Sequence, residues 1–361
     1  MSAGKPFRLG IIALGGISSS AHGPAVKRST AGIEIAACCD IRPEAVKNWT
    51  AIYGGNGYTD YIEMVRGENL DGVLLATWPN QHREQIEQLL AAGVKNILCE
   101  KALALASHEA VAIYDSVLKA GAFLMEGFMY RHNPAIRKLE QLLAAGQLGA
   151  IDSVRACFSA FDAESADASD PNRNWRQRKE CGGGIPYDFA CYCVNACGHF
   201  AADIPKRVYC SGGVGKFDTI NRMYGMIEYE NGVVGYIESS KKTSFTQELQ
   251  ISCNHGILTL PTAWTTDRAI TITQRHTNWN NHTCENHLCD GIYAGQSYQL
   301  QVENFMAAVR GAAKPVVPIA ESVVNTFTLE ALVLSLQEKR VVDIEIPSGL
   351  AGAFRNQIAN K

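Results

Sequence analysis

The sequence predicts two domains: an N-terminal α/β domain on a parallel sheet, then a C-terminal α+β domain built on a large, mostly antiparallel open sheet. Three observations carry this. Over the first third of the chain, short apolar runs alternate with helical stretches, the pattern of a parallel sheet crossed over by helices. From Ile151 onward long alternating strands take over, and Asn231-Gly232 between two of them is a strong two-residue hairpin signal, hence antiparallel pairing. At 361 residues, 47% of them hydrophobic, the chain is too long for one ordinary domain and apolar enough to fill two cores. The expected domains are 6–128 and 129–361.

The first strand, Phe7 to Ile12, runs through Ala13, Gly15, Gly16 and Ile17 into a helix, the strand–turn–helix order of a dinucleotide-binding Rossmann fingerprint. Its glycine pattern is degenerate, with Ala13-x-Gly15-x-x-Ser18 in place of Gly-x-Gly-x-x-Gly. Alanine takes the tight-turn position and serine the helix-packing position. Only Gly15 keeps the role of letting backbone N–H groups approach a pyrophosphate. The next strand, Ile33 to Cys39, ends in Asp40, roughly 25 residues after the glycine turn and near the ~20 expected of the acid that binds an adenosine ribose. Its charge favours NAD by repelling a 2′-phosphate. Arg42, two residues on, can reach such a phosphate, which keeps NADP as the alternative. Asp40 equally suits a helix N-cap ahead of Pro43, and both roles can coexist.

Asp71 to Thr77 is a third buried strand, ending in Trp78-Pro79-Asn80-Gln81-His82 and followed by a helix from Arg83 to Ala92. The run Val94 to Cys99 then ends in Glu100-Lys101. A lysine leaving a buried parallel strand lands at the carboxyl edge of the sheet, where open α/β folds place their ligands. That makes Lys101 a candidate proton carrier beside a nicotinamide; the alternative is an exposed lysine at a strand end. Ser107 caps a helix through Val111, Tyr114, Val117 and Leu118, stopped by Gly121, and Ala122 to Glu126 closes the sheet.

Further strands are expected over 151–161, 207–211, 222–230, 233–239, 246–253, 256–261 and 269–275. A sheet with helices on one face leaves its other face to be covered, commonly by a second subunit, so a homo-oligomer through the C-terminal sheet is expected. His276, His282, Cys284, His287 and Cys289 cluster in a polar stretch whose spacings fit no standard zinc pattern, and Cys191, Cys193 and Cys197 are too spread around one helix to chelate together. No metal is expected, and 276–290 reads as a long loop at a substrate mouth or subunit contact. Trp264 and Trp279 there are candidates to stack on a sugar or to anchor an interface. A formal charge of −3 without a Lys/Arg run argues against nucleic acid or an anionic membrane as partner. With no signal-peptide h-region and no uninterrupted apolar run near ~18 residues, the protein is expected to be cytoplasmic, its twelve cysteines reduced thiols.

In combination these residues resemble the Gfo/Idh/MocA oxidoreductases, named for glucose-fructose oxidoreductase and inositol dehydrogenase, from Leu9 to Ile346. The family's Glu-Lys-Pro stands here as Glu100-Lys101-Ala102, and its Thr-Pro-Asn-x-x-His turn as Thr77-Trp78-Pro79-Asn80-Gln81-His82. Trp175-Arg176, Gly182-Gly183-Gly184 and Asp188-x-x-x-Tyr192 resemble its substrate-domain signature. Tyr130-Arg131-His132-Asn133-Pro134 resembles the crossover of its dihydrodiol and xylose dehydrogenase branch.

The resemblance implies an NAD-dependent dehydrogenase acting on a secondary hydroxyl of a sugar, cyclitol or glycoside, with a glucosyl 3-hydroxyl as the favoured target. It implies that Lys101 and Tyr192 handle the proton with Asp188 beside them, and that Arg176, His132, Asp188 and Tyr192 meet the substrate. Thr77, His82, Glu100, Lys101, Trp175 and Arg176 would join Ala13, Gly15, Gly16, Ile17, Asp40 and Arg42 around the cofactor. Other members suggest two alternatives. One is an NAD-dependent glycosidase, with His132 or His199 as the added acid/base group. The other is a non-catalytic dinucleotide sensor, against which the retention of Lys101, Asp188 and Tyr192 speaks. Structural roles remain open too: Tyr192 as a core tyrosine, Asp188 as a cap, and the triple glycine as a flexible loop. Alanine for proline at 102 removes a fixed φ next to Lys101.

Overall fold

A computed structural model describes residues 5–162, 174–264, 270–277, 282–293 and 295–359. Contacts divide the chain into two compact units. The first runs to Ala104 and takes in His108–His132 and Gly295–Ile319, and the remainder forms the second.

The first unit is built on β1 (Phe7–Ile12), β2 (Ile33–Cys39), β3 (Asn56–Tyr58), β4 (Gly72–Leu75), β5 (Asn96–Glu100) and β6 (Phe123–Gly127), in the order β3-β2-β1-β4-β5-β6. All neighbours are parallel. Leu9, Ile11, Val73, Leu75, Ile97 and Cys99 have no accessible surface, as a parallel sheet covered on both faces requires. The strand order reverses between β1 and β4, and open α/β sheets bind ligands at the carboxyl ends of such strands, where the Ala13 and Thr77 loops begin here. The helix Gln296–Val309 returns to this unit. Its buried Phe305 sits edge-on to Phe7 at 6.0 Å and stacks on Phe123 at 5.8 Å. A Cβ on Gly72 would lie 2.7 Å from that ring, so the strand needs glycine there.

Among the described residues the second unit holds a nine-stranded sheet: β7 (Ile151–Cys157), β8 (Pro205–Val214), β9 (Ile220–Tyr229), β10 (Val234–Ser240), β11 (Leu249–Cys253), β12 (Gly256–Leu260), β13 (Ile270–Thr277), β14 (His282–Cys289) and β15 (Val342–Asp343). Their order is β14-β13-β12-β11-β7-β10-β9-β8-β15. Every pair is antiparallel except β7 with β10, which is parallel. Alternation turns Val208, Met223, Ile227, Ile237, Val154, Ile251 and Leu258 inward, all nearly without accessible surface. The helix Ile319–Glu338, with mean hydropathy 1.4, is long and apolar enough to cross a membrane by composition, but 67% of that stretch is buried in the fold. Its Ser335 hydroxyl accepts the Cys210 N–H at 2.9 Å, fixing it to β8.

Two expectations are corrected. The β9–β10 connection is antiparallel, yet its turn is the three-residue loop Glu230-Asn231-Gly232, closed by Tyr229 N–H to Val233 C=O at 3.0 Å and Gly232 N–H to Tyr229 C=O at 3.1 Å. Gly232, at φ +88°, takes the left-handed position of such a loop. The stretch expected as a loop over 276–290 is mostly strand: β14 pairs with β13 from Ile270↔Cys289 to Thr277↔His282. As an outermost strand it lacks the apolar alternation that marks an inner one. Ala269 and Trp279 lie outside the described residues.

Candidate active site

The loop after β1 departs from the glycine pattern at two positions that support each other. Ala13 adopts φ 70°, the left-handed conformation usually left to glycine, and the Ser18 hydroxyl donates to the Ala13 carbonyl at 2.6 Å. Ser18–His22 forms a π-helical turn leading into the helix Gly23–Arg28. A Cβ on Gly15 or Gly16 would meet nothing within 4 Å, and Ile17 is 37% exposed. The backbone is therefore bare where a pyrophosphate would approach, and a dinucleotide fits this loop.

Asp40, at the end of β2, is 7% exposed. Its carboxylate accepts the Leu14 N–H at 2.9 Å, the Arg42 N–H at 3.0 Å, and a guanidinium fork from Arg42 at 2.9 and 3.0 Å. Burial pushes its pKa up, but the hydrogen bonds from Arg42 and Leu14 outweigh that and hold it below the usual carboxylate range. The helix that follows has Arg42 at its N-cap without a side-chain cap, so Asp40 ties the β2 edge to the glycine loop and does not cap that helix.

His82 sits inside the unit without accessible surface. Its Nδ1 faces the carbonyls of Ala102 at 3.0 Å and Leu103 at 3.2 Å, and its Nε2 faces that of Thr77 at 3.2 Å. Burial lowers its pKa, and the ring bridges the loop after β4 and the loop after β5. The Thr77 hydroxyl donates to Gln85 Oε1 at 2.5 Å. Glu100 is also buried, its carboxylate contacting His22 Nε2 at 2.8 Å and accepting the Lys101 N–H at 3.1 Å. The half-buried Lys101 leaves the carboxyl end of β5, and its peptide bond to Ala102 is cis. His22, edge-on to Tyr298 at 5.2 Å, went unnoticed in the sequence; its only advance signal was a histidine one turn past the glycine loop.

In the second unit, the segment Trp175–Gly184 folds back on itself through Gly183 N–H to Arg178 C=O and Gly184 N–H to Arg176 C=O, both 2.8 Å. The triple glycine is no flexible spacer. A Cβ on Gly183 would lie 2.5 Å from the Arg178 carbonyl oxygen, and Gly182 and Gly184 hold φ values of +81° and +96°. The fold-back delivers Arg176, its guanidinium 5.1 Å from the Trp175 ring, onto Asp188. Nε lies 2.6 Å from Oδ2 and Nη2 lies 3.2 Å from Oδ1. The buried Asp188 comes from the π-helical turn Pro186–Ala190, and Tyr192, 5% exposed, opens the helix Cys191–Ala201.

Tyr192 packs edge-on to Phe158 at 5.4 Å and tilted to Trp264 at 6.0 Å. Trp264 has no accessible surface and donates its indole N–H to the Cys157 carbonyl at 2.7 Å. It braces Tyr192 from within the core and is not exposed for stacking on a sugar, a correction to the sequence expectation. His199 sits 2.8 Å from Glu140 on the helix Pro134–Ala144, and His132 is buried at the end of the first unit. The cysteines are free thiols, buried except for the partly exposed Cys253 and exposed Cys284. Among the described residues no three His, Cys, Asp or Glu side chains group to hold a metal ion.

Comparison with known proteins gives a consistent picture. Residues 7–128 match the family model described as oxidoreductase family, NAD-binding Rossmann fold, and residues 136–259 match the GFO/IDH/MocA C-terminal domain. The chain is 28% identical over 338 residues to D-xylose 1-dehydrogenase (NADP(+)) 2 of Haloferax volcanii, covering 93% of this chain and 99% of that protein. It is 28% identical to dTDP-3,4-didehydro-2,6-dideoxy-alpha-D-glucose 3-reductase of Actinomadura kijaniata, where the match spans 54% of this chain and 56% of that one. Its fold is that of levoglucosan dehydrogenase in complex with NADH and levoglucosan, with TM-score 0.83 at 20% identity over 95% of this chain and 100% of that one.

Proposed function

From the premise that this chain belongs to the GFO/IDH/MocA family of oxidoreductases, with an NAD-binding Rossmann domain, we propose that it oxidises a secondary hydroxyl of a polyhydroxylated ring: a sugar, cyclitol or glycoside. The observation that carries this is the Arg176–Asp188 fork, which sets a donor and an acceptor for hydroxyls one turn before Tyr192. Removing hydrogen from a secondary alcohol requires a base for the hydroxyl proton. The nicotinamide, when bound, supplies the two-electron acceptor. In this reading the Lys101 ammonium favours the ionised form of Tyr192, whose phenolate takes the hydroxyl proton and is left as the neutral phenol. Asp188 and Arg176 orient neighbouring hydroxyls, with Trp175 and His132 beside the substrate and cofactor. The exposed loop of Ala13, Gly15, Gly16 and Ile17 holds the pyrophosphate, and Asp40 holds the adenosine ribose.

NAD is the preferred cofactor and NADP the accepted alternative, because the half-exposed Arg42 already compensates the charge of Asp40. Within the substrate class we favour a glucosyl 3-hydroxyl. A 3-ketone acidifies the adjacent carbon and permits loss of an anomeric substituent, and the relative from Actinomadura kijaniata is named for action at a sugar 3-position. The glycosidase alternative needs a further acid/base group; of its two candidates His199 pairs with Glu140, which leaves His132. We also propose a cytoplasmic homo-oligomer through the C-terminal sheet, on which Tyr209, Tyr224 and Tyr236, each at least 42% exposed, line one face across β8, β9 and β10. A panel of sugars, cyclitols and glycosides assayed for nicotinamide reduction, with NAD and NADP separately, tests the activity. No reduction with any of them would overturn it.

A further inference from the structure

Lys241 follows β10 and is only 6% exposed, an uncommon setting for an ammonium. Its Nζ lies 3.3 Å from Oδ2 of Asp162. An ammonium carries three donors, and among the described residues Asp162 is the ion-pair partner of this one. The backbone explains how the pair is held. Phe158 N–H bonds to Glu238 C=O at 2.9 Å, Ala160 N–H to Ser240 C=O at 3.0 Å, and Asp162 N–H to Lys241 C=O at 2.9 Å. The same run carries Phe158, which stacks on Phe189 at 4.3 Å and meets Tyr192 edge-on at 5.4 Å. Lys241 and Asp162 thus pair a cation with a carboxylate at the end of the run whose Phe158 packs on Tyr192, as Arg176 and Asp188 do one helical turn before Tyr192. Such a pair has no net charge to attract an ion. It alternates donors with acceptors, which is what a neutral ring bearing several hydroxyls presents in return.

We infer that Lys241 and Asp162 form a hydroxyl-reading pair that sets substrate specificity: the ammonium donates to one hydroxyl oxygen of the ring and the carboxylate accepts from an adjacent hydroxyl. This deepens the dehydrogenase reading and rests on it. Neither residue moves the reacting proton; both position the ring.

The test takes the best substrate of the wild-type enzyme together with its deoxy and epimeric analogues at each ring position, and compares wild type with Lys241→Met and Asp162→Asn. The expected result is a KM raised on the order of tenfold or more for the parent substrate, the effect of losing a charge-assisted hydrogen bond, with kcat within a few-fold. The analogue altered at the read hydroxyl should lose its disadvantage, so that variant and wild type handle it alike. Asp162 is half-exposed, so Asp162→Asn should fold and decides the matter if Lys241→Met does not. An unchanged KM in Asp162→Asn, or losses spread evenly over all analogues, would overturn the pair while leaving the dehydrogenase reading intact. A wild type that oxidises no member of the panel would overturn both.

Discussion

Arg176 grips Asp188 through two contacts of 2.6 and 3.2 Å, with the arginine side chain 49% exposed and the aspartate only 4%. A carboxylate that deep needs a partner, and removing the partner of a buried charge costs far more than the pair contributes. The guanidinium therefore fixes the orientation of Asp188 while its own outer edge stays open to solvent. The approach is set by the triple glycine, in which a Cβ on Gly183 would lie 2.5 Å from the Arg178 carbonyl oxygen.

Arg176→Lys keeps the charge and loses the fork. The expected result is a rise in KM on the order of tenfold, from the loss of one charge-assisted hydrogen bond, with a smaller fall in kcat, read by steady-state kinetics on the substrate found in the panel. Kinetics equal to wild type would mean that a point charge beside Asp188 is enough.

In the proposed cofactor site, Asp40 and Arg42 together set the preference between NAD and NADP. Arg42→Ala should leave NAD binding within a few-fold and weaken NADP strongly, since an uncompensated Asp40 then faces the 2′-phosphate. Asp40→Ser should weaken NAD and narrow the gap between the two. Titration of the three proteins with both dinucleotides decides it; tighter NADP binding by Arg42→Ala would remove Arg42 from the phosphate site.

Tyr192→Phe deletes only the hydroxyl, and the ring still packs against Phe158 and Trp264. Turnover should fall by roughly 10²- to 10⁴-fold with an unchanged melting temperature, and the pH profile of the remaining rate should shift, because two coupled groups titrate as a unit. Retention of most activity with an unshifted profile would make Tyr192 a core residue.

Much of this was legible in the sequence because it is local. Apolar runs such as Phe7 to Ile12 and Ile33 to Cys39 announce a parallel sheet, and the acids and lysine at their ends follow from the fold. What escaped notice depends on distant partners. Phe305 returns to pack on Phe7 and Phe123, and no local signal around it marks that contact. His22 meets Glu100 across 78 residues. Strand β14 is an edge with polar residues on both faces, so periodicity could not reveal it. Trp264 invited a ligand role that its complete burial excludes. Lys241 carried no motif at all.

Glu140 gives a pH signature separate from catalysis. Burial raises its pKa, but the hydrogen bond and charge of His199, with Arg137, bring it down to about 2 from 4.5. A depressed folded-state pKa contributes stability that is full above the unfolded value and lost as pH falls toward the folded one. This contribution should therefore disappear between pH 4.5 and about 2. Glu140→Gln should be less stable than wild type near neutral pH, and the difference should shrink through that window, as followed by denaturant unfolding at stepped pH. A constant difference would mean the pair does not titrate with folding.

Lys101 follows β5 in the NAD-binding domain, and we propose that it acts on the proton of the reaction. The most direct test compares Lys101→Ala with wild type for nicotinamide reduction at saturating substrate, alongside dinucleotide affinity measured without substrate. Turnover should fall by ~10²- to 10⁴-fold while dinucleotide affinity stays within a few-fold. Near-normal turnover at saturation, with dinucleotide affinity lost instead, would contradict the account and make Lys101 a binding residue.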